Sequence, residues 1–518
     1  MSLHRSHRGT RHAGFLAATA ATVVLLAGCA PSVDQEGTST GDEKRELRVA
    51  TITPPNSLDP AQLSDGQSAF VWNSVIDTLL VRENGTGELA PNAAESWEYN
   101  EDGTELTLKL RDDMTFSDGD PVTAEAVAAT MLRSKETPGL IQPRLSDVED
   151  VTAPDATTVV ISFSRFDPEF LDQLALAVGA IGDPDTLDED RTATNPIGSG
   201  PYTLDVDATV PGTSYTLRKR EDHWNADAFP FDTVTTTVLQ DPTASFNALQ
   251  AGEINAGTLQ PQLAAQLDPS TYTTQPIPAQ ALAMLVILDK NGEQFPALGD
   301  IRVRQALNHA IDREGIVAGI LQNNAAAAEQ VFSPLGDVFD ETLDGTYDYD
   351  PDKGRALVDE AGFTGTTFRI PSTYLTTAFE ATISQAFTDV GLSVEWVPTP
   401  PQQVDGVFAS GEYGLVFQVL GYTSDASQAG NVYGIDGTYN PRGYSDPTLD
   451  EIFGAIDTTV DSDGRLDPYR ELNRYSVEQA LNVPIVNTST NWVTSEGVRM
   501  LDDGSSGVQS VRLFGVAE

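Results

Sequence analysis

Cys29 is the only cysteine among 518 residues. No intrachain disulfide, Cys-ligated zinc or dithiol pair is therefore available, and the chain beyond it must be held by hydrophobic cores alone. Histidine adds little. His4, His7 and His12 fall in the first dozen residues, which leaves His223 and His309 for the body. Metal sites built from several imidazoles and histidine-based triads lack their material. The chain also lacks G-x-S-x-G, G-x-x-x-x-G-K-[ST] and H-E-x-x-H. We expect no metal and no cofactor, and catalysis by carboxylates alone stays open although nothing points to it.

Seventy-seven Asp and Glu stand against 30 Lys and Arg, a formal charge of −47. A phosphate backbone needs clustered Lys and Arg, so nucleic acid is excluded as a partner. The acidity reads as a solvated surface and names no ligand. Forty per cent apolar residues suffice for several cores, and the length suggests about three domains.

Arg5, Arg8 and Arg11 precede an apolar run of 13 residues, Phe15 to Ala27. That is too short to span a bilayer and suits the h-region of a signal peptide, residues 1–28. The run ends in Leu26-Ala27-Gly28-Cys29, which resembles a bacterial lipobox. The resemblance implies lipidation of Cys29 and removal of what precedes it. Two acyl chains anchor stably where one is marginal. Ala30 to Glu46 is polar and aperiodic, so residues 29–46 read as a tether of ~20 Å r.m.s. reach. The expected location is the extracytoplasmic face of a cell membrane.

The body alternates helix and strand signals. Leu47–Ile52 reads as a first strand, stopped by Thr53-Pro54-Pro55-Asn56. Trp97 and Tyr99, then Leu106, Leu108 and Leu110, alternate at period two on either side of Asp102-Gly103, a β-hairpin. Thr123 is expected to cap a helix running to about Arg133. Further strands are predicted at Thr157–Phe163, Tyr202–Val206, Tyr215–Arg218 and Val234–Leu239, with a helix over Thr243–Ala251. Val303, Ala306, Leu307, Ala310 and Ile311 mark an amphipathic helix, and Asp350-Pro351 opens another that Gly362 closes. Gly414–Leu420 is nearly all apolar, as in a strand buried on both faces. Trp97 and Trp224 are expected in cores, with His223 beside Trp224 and His309 on the flank of its helix. The class is mixed α/β.

Four groups of segments, in this order and spacing, resemble the extracytoplasmic solute-binding proteins of peptide and nickel ABC importers. The first holds Leu58-Asp59-Pro60, Trp72-Asn73-Ser74-Val75-Ile76-Asp77, Leu89-Ala90-Pro91, Phe116-x-Asp118-Gly119 and Pro121-Val122-Thr123. The second is Gly198-Ser199-Gly200-Pro201-Tyr202 with His223-Trp224 and Ala248-Leu249-Gln250-Ala251-Gly252. The third is Val303-Arg304-Gln305-Ala306-Leu307, and the fourth Tyr349-Asp350-Pro351 through Gly362-Phe363. The resemblance implies a type II periplasmic-binding-protein fold, two hinged lobes with a ligand cleft between them. Lobe I is expected at 45–58, 195–280 and 484–518, its extra subdomain at 59–194, and lobe II at 281–483.

Gly421-Tyr422-Thr423-Ser424-Asp425 resembles the Gly-Trp-x-x-Asp segment of peptide-binding members, with Tyr422 in place of the tryptophan. There the aspartate pairs with the peptide's α-ammonium, which implies the same for Asp425. An α-amine is charged at neutral pH, and a desolvated carboxylate at a strand end can hold it. Pro55, Asn56 and Ser57 follow the first strand and are expected along the cleft, with Tyr374 and Tyr439 as aromatic contacts. The function implied is a lipid-anchored, monomeric receptor that hands oligopeptides or dipeptides to ABC permease subunits with cytoplasmic ATPases. Rival ligands within the class are a sugar, an opine-like compound or a metal chelate. Remote alternatives are an exported hydrolase working through an Asp/Glu pair and a surface adhesin or sensor.

Overall fold

The first strand forms where the sequence places it, at Glu46–Thr51, and lies inside the largest sheet. The fold is that of a computed structural model, which describes residues 45–400, 403–408, 410–495, 497–502, 504 and 509–517. The signal segment, the tether and Cys29 lie outside the described residues. None of the described helices is long and apolar enough to cross a membrane.

The large sheet has nine strands. In spatial order they are 415–421, 272–287, 483–495, 256–259, 46–51, 233–238, 214–219 and 202–204, with 325–327 added against 483–495. Strand 46–51 runs parallel to 233–238 and to 256–259, while the other pairings are antiparallel. Two strands, Tyr272–Ile287 and Val483–Ser495, are far longer than the rest. Sixteen residues at about 3.3 Å each give the first a span of roughly 50 Å. Sequence reasoning did not foresee either. Pro276 and Pro278 argue against a central strand, and Asn487, Asn491 and the threonines between them dilute the β pattern.

The predicted hairpin is present as Ala94–Tyr99 and Glu105–Leu110 in a four-stranded antiparallel sheet with 158–163 and 148–155. The remaining predicted elements appear with small shifts. The helix begins at Pro242 because the Asp241 carboxylate accepts the N–H of Thr243 at 2.8 Å. Pro351–Ala361 ends at Gly362, whose φ of 81° completes a left-handed cap. Thr123 occupies the N-cap position of Ala124–Glu136, but its side chain makes no capping bond. Strand Leu415–Gly421 is buried on both faces although it is a sheet edge. Leu415 and Phe417 enter one core while Val416 and Leu420 enter another, which follows from side-chain alternation.

The largest core gathers residues 47–234 with 492–514, around Trp72, Phe70 and Phe514. A buried polar knot ties its segments together. Asp77 accepts from His223 Nε2 at 2.9 Å, Trp224 Nε1 at 3.3 Å and Arg512 at 3.2 Å. Burial alone would raise the Asp77 carboxyl, but its bond and charge from His223, then the Arg512 charge, hold it below the usual range. Trp97 and Trp224 are partly buried against this core. His309 lies near the end of the helix Ile301–Ala310. It is buried, and a ring nitrogen lies 2.9 Å from the Asp348 carbonyl.

Candidate functional site

The long strands fall out of register where the main cavity lies. Tyr272–Ile277 pairs with 490–495, then pairing resumes as Ala281 opposite Thr488. Pro278, Ala279 and Gln280 bulge out of the ladder between them. Ala279 has a φ of 49°, a strained setting for a residue with a Cβ. The bulge frees space beside the end of the first strand, at Thr51 and Ile52, and beside Gly421–Thr423 where strand 415–421 ends. A cavity of about 320 Å³ results. Thr51, Thr258, Thr423, Thr488, Thr490 and Trp492 contribute to its wall. Trp492 is held edge-on to Phe514, with ring centres 5.3 Å apart.

A second cavity of about 260 Å³ adjoins it, with Asp65, Leu176 and Thr423 common to both walls. Its lining is charged. Arg82 pairs with Asp172, and Arg144 pairs with Asp65, which also accepts the N–H of Ala177 at 3.0 Å. Glu169 is different. Burial, then the charges of Asp167 and Asp172, push its carboxyl up to about 8, against a smaller opposing effect of Arg144. Burial likewise pushes Asp167 up to about 6. Glu169 reaches across to Gly430, in the helix Asp425–Tyr433, where a Cβ would collide with Oε1.

Of the residues singled out in the sequence, Tyr422 lines the larger cavity. Its hydroxyl donates to Asp425 Oδ1 at 2.9 Å. Asp425 opens its helix and lies behind Tyr422, outside the lining of both cavities. Its carboxylate faces Gly336, where a Cβ would stand 2.7 Å from Oδ1. Burial pushes Asp425 up to about 6 against the hydrogen bonds of Tyr422 and the Val338 backbone. Asn56 accepts from Ser64 Oγ at 2.8 Å and donates to the Gln62 carbonyl, and Ser57 Oγ accepts the N–H of Asp59 at 3.0 Å. Those bonds brace the 56–64 loop, so wall residues come from the strand end just before Pro55 rather than from 55–57. Tyr374 is 75% exposed, and Tyr439 packs edge-on to Phe408 with ring centres 5.2 Å apart. Neither contributes to the two cavities.

Sequence reasoning missed Asp65, Arg82, Glu169, Thr488 and Trp492. Arg82 and Glu169 reach one wall although 86 positions lie between them, and no local pattern marks either. Only Thr423 carried a signal, its place beside Tyr422. Neither wall contains His or Cys. Among the described residues no cluster of three or more His, Cys, Asp or Glu is arranged to hold a metal ion.

Residues 88–440 match the model of the bacterial extracellular solute-binding proteins, family 5, middle region. The nickel-binding periplasmic protein of Escherichia coli K12 is 25% identical over 479 residues, 84% of this chain and 88% of that one. Heme-binding protein A of Haemophilus influenzae is 26% identical over 388 residues, 67% of this chain and 68% of its own length. The fold is shared with the periplasmic binding protein DppA of Helicobacter pylori, solved with the peptide STSA. That match has a TM-score of 0.74 at 21% identity and covers 91% of this chain and 98% of that one. This is a type II periplasmic-binding-protein fold, and its relatives are extracytoplasmic receptors working with ABC permease and ATPase components. With the family model spanning more than half of its length, the chain belongs to family 5 of the bacterial extracellular solute-binding proteins, non-enzymatic substrate receptors of ABC importers.

Proposed function

We propose that this receptor captures short peptides in the cavity at the register shift and delivers them to its permease. The carrying observation is the wall itself: strand ends at Thr51–Ile52 and Gly421–Thr423, the bulge at Ala279–Gln280, and the side of the sheet at Thr258, Thr488 and Thr490. Main-chain groups beyond the last ladder pair are what an extended peptide needs, since it binds sheet edges through its own N–H and C=O. Closure of two lobes over such a ligand would exclude bulk water, while water left in side cavities tolerates varied side chains. The solved complex of DppA with STSA supports this reading. Nickel bound through imidazole or thiolate is disfavoured by the composition of the walls.

We propose lobe I at 45–58, 195–280 and 484–518, lobe II at 281–483, and the subdomain at 59–194. Cys29 is proposed to carry the lipid of a monomeric, membrane-tethered protein. Cys29→Ser is expected to move it from the membrane to the soluble fraction.

The test is native mass spectrometry of residues 30–518 followed by denaturation. Release of a ladder of small peptides is expected. A single non-peptide mass would overturn the peptide reading and leave the receptor class intact.

A further inference from the structure

The smaller cavity has one acidic side chain more than it has basic ones. Its wall holds three carboxylates, Asp65, Glu169 and Asp172, against two guanidinium groups. Arg82 and Arg144 are each committed to an aspartate. The Glu169 carboxylate accepts no hydrogen bond and makes no ion pair among the described residues. Four positions on, Gln173 Oε1 is buried and likewise has no hydrogen-bond partner. Gln173 Oε1, a buried acceptor without a donor, is costly, and native structures retain such an atom where something else supplies the donor. The cavity opens beside Thr423, which it shares with the larger site.

We infer that this cavity receives a cationic group of the ligand, an ammonium or guanidinium, held by the Glu169 carboxylate and Gln173 Oε1. The inference deepens the assignment of the cleft as the ligand site and rests on it. A cation donates several N–H bonds at once, satisfies both acceptors and pairs with the Glu169 carboxylate once its proton has left. Gly430 belongs to the same device. Its missing Cβ leaves the space into which Glu169 extends.

Proton linkage follows. The charged groups around Glu169 are Asp167 and Asp172 on its own segment and Arg144 from the 142–145 turn, and Tyr469 on the helix Ser462–Glu478 is the nearby neutral titratable group. Burial and the neighbouring aspartates push the Glu169 carboxyl up to about 8, which favours its protonated form at neutral pH. A cation must displace that proton, so cation affinity rises with pH from 6 to 9 and a proton is released on binding.

The experiment uses two matched probe sets on the wild-type protein and on Glu169→Gln, followed by titration calorimetry at pH 6, 7.5 and 9. One set is the tripeptides Ala-Ala-Lys, Ala-Ala-norleucine and Ala-Ala-Glu. The other is agmatine against a neutral alcohol of equal length. A preference for the cationic member of roughly tenfold or more is expected at pH 9, smaller at pH 6 and lost in Glu169→Gln. The norleucine peptide should bind both proteins alike. Cation preference with agmatine alone would support this cavity and overturn the peptide reading. Peptide binding without preference for lysine, or a preference that survives Glu169→Gln, would overturn this cavity and spare the peptide reading. Binding of neither set would overturn both.

Discussion

Asp425 is the residue to perturb first, because sequence and geometry give it different work. Its carboxylate accepts from Tyr422 and from the Val338 backbone, with no cation in contact among the described residues, and burial lifts it from 3.8 to about 6. That lift corresponds to about 3 kcal/mol. The sign follows from linkage. Below pH 4 both the folded and unfolded chains hold the proton, and the contribution to stability is fully present. As pH rises through 6 the folded protein must ionise a buried group, and the contribution is lost. Asp425→Asn stays neutral throughout and gives up one acceptor oxygen, at a cost of about 1 kcal/mol. The variant is therefore expected to be more stable than wild type by about 2 kcal/mol at pH 7.5 and slightly less stable at pH 3.5. Calorimetric melting of residues 30–518 at both pH values reads this as a crossover of several degrees in Tm. A variant that melts well below wild type at pH 7.5 would refute the reasoning, since that result requires a cation bonded to the carboxylate.

Three further outcomes follow. Asp77→Asn strands Arg512 and His223 in a buried knot and should cost about 3–5 kcal/mol above pH 5. Because the folded Asp77 sits below its ordinary range, that deficit should shrink as the pH falls below 4, which acid melting curves will show. At the bulge, Ala279→Gly should leave Tm within a few degrees, whereas Ala279→Val forces a β-branched residue into a positive φ and should cost about 2 kcal/mol or more. Gly430→Ala improves helix propensity by about 1 kcal/mol but displaces Glu169. Its melting should stay near wild type while selectivity for the lysine tripeptide is lost.

The sequence by itself determined the elements whose pattern is local. Alternation at 97–99 and 106–110, the i, i+3, i+4 run from Val303, and the Asp350-Pro351 to Gly362 frame each specify their structure through neighbours a few positions away. The scarcity of cysteine and histidine also settled which chemistries were closed. Local pattern failed at the two long strands, whose prolines and asparagines are acceptable only because a bulge and a polar cavity lie beside them. Asp425 shows the same limit. Its position at a strand-to-helix junction was legible, but its direction toward Tyr422 and Gly336 was set by a segment almost ninety residues earlier. Binding walls gather residues from 50 to 509. Such a surface is decided only when distant strands pair, because burial, charge balance and unpaired acceptors are properties of the assembled packing and leave no periodic trace along the chain.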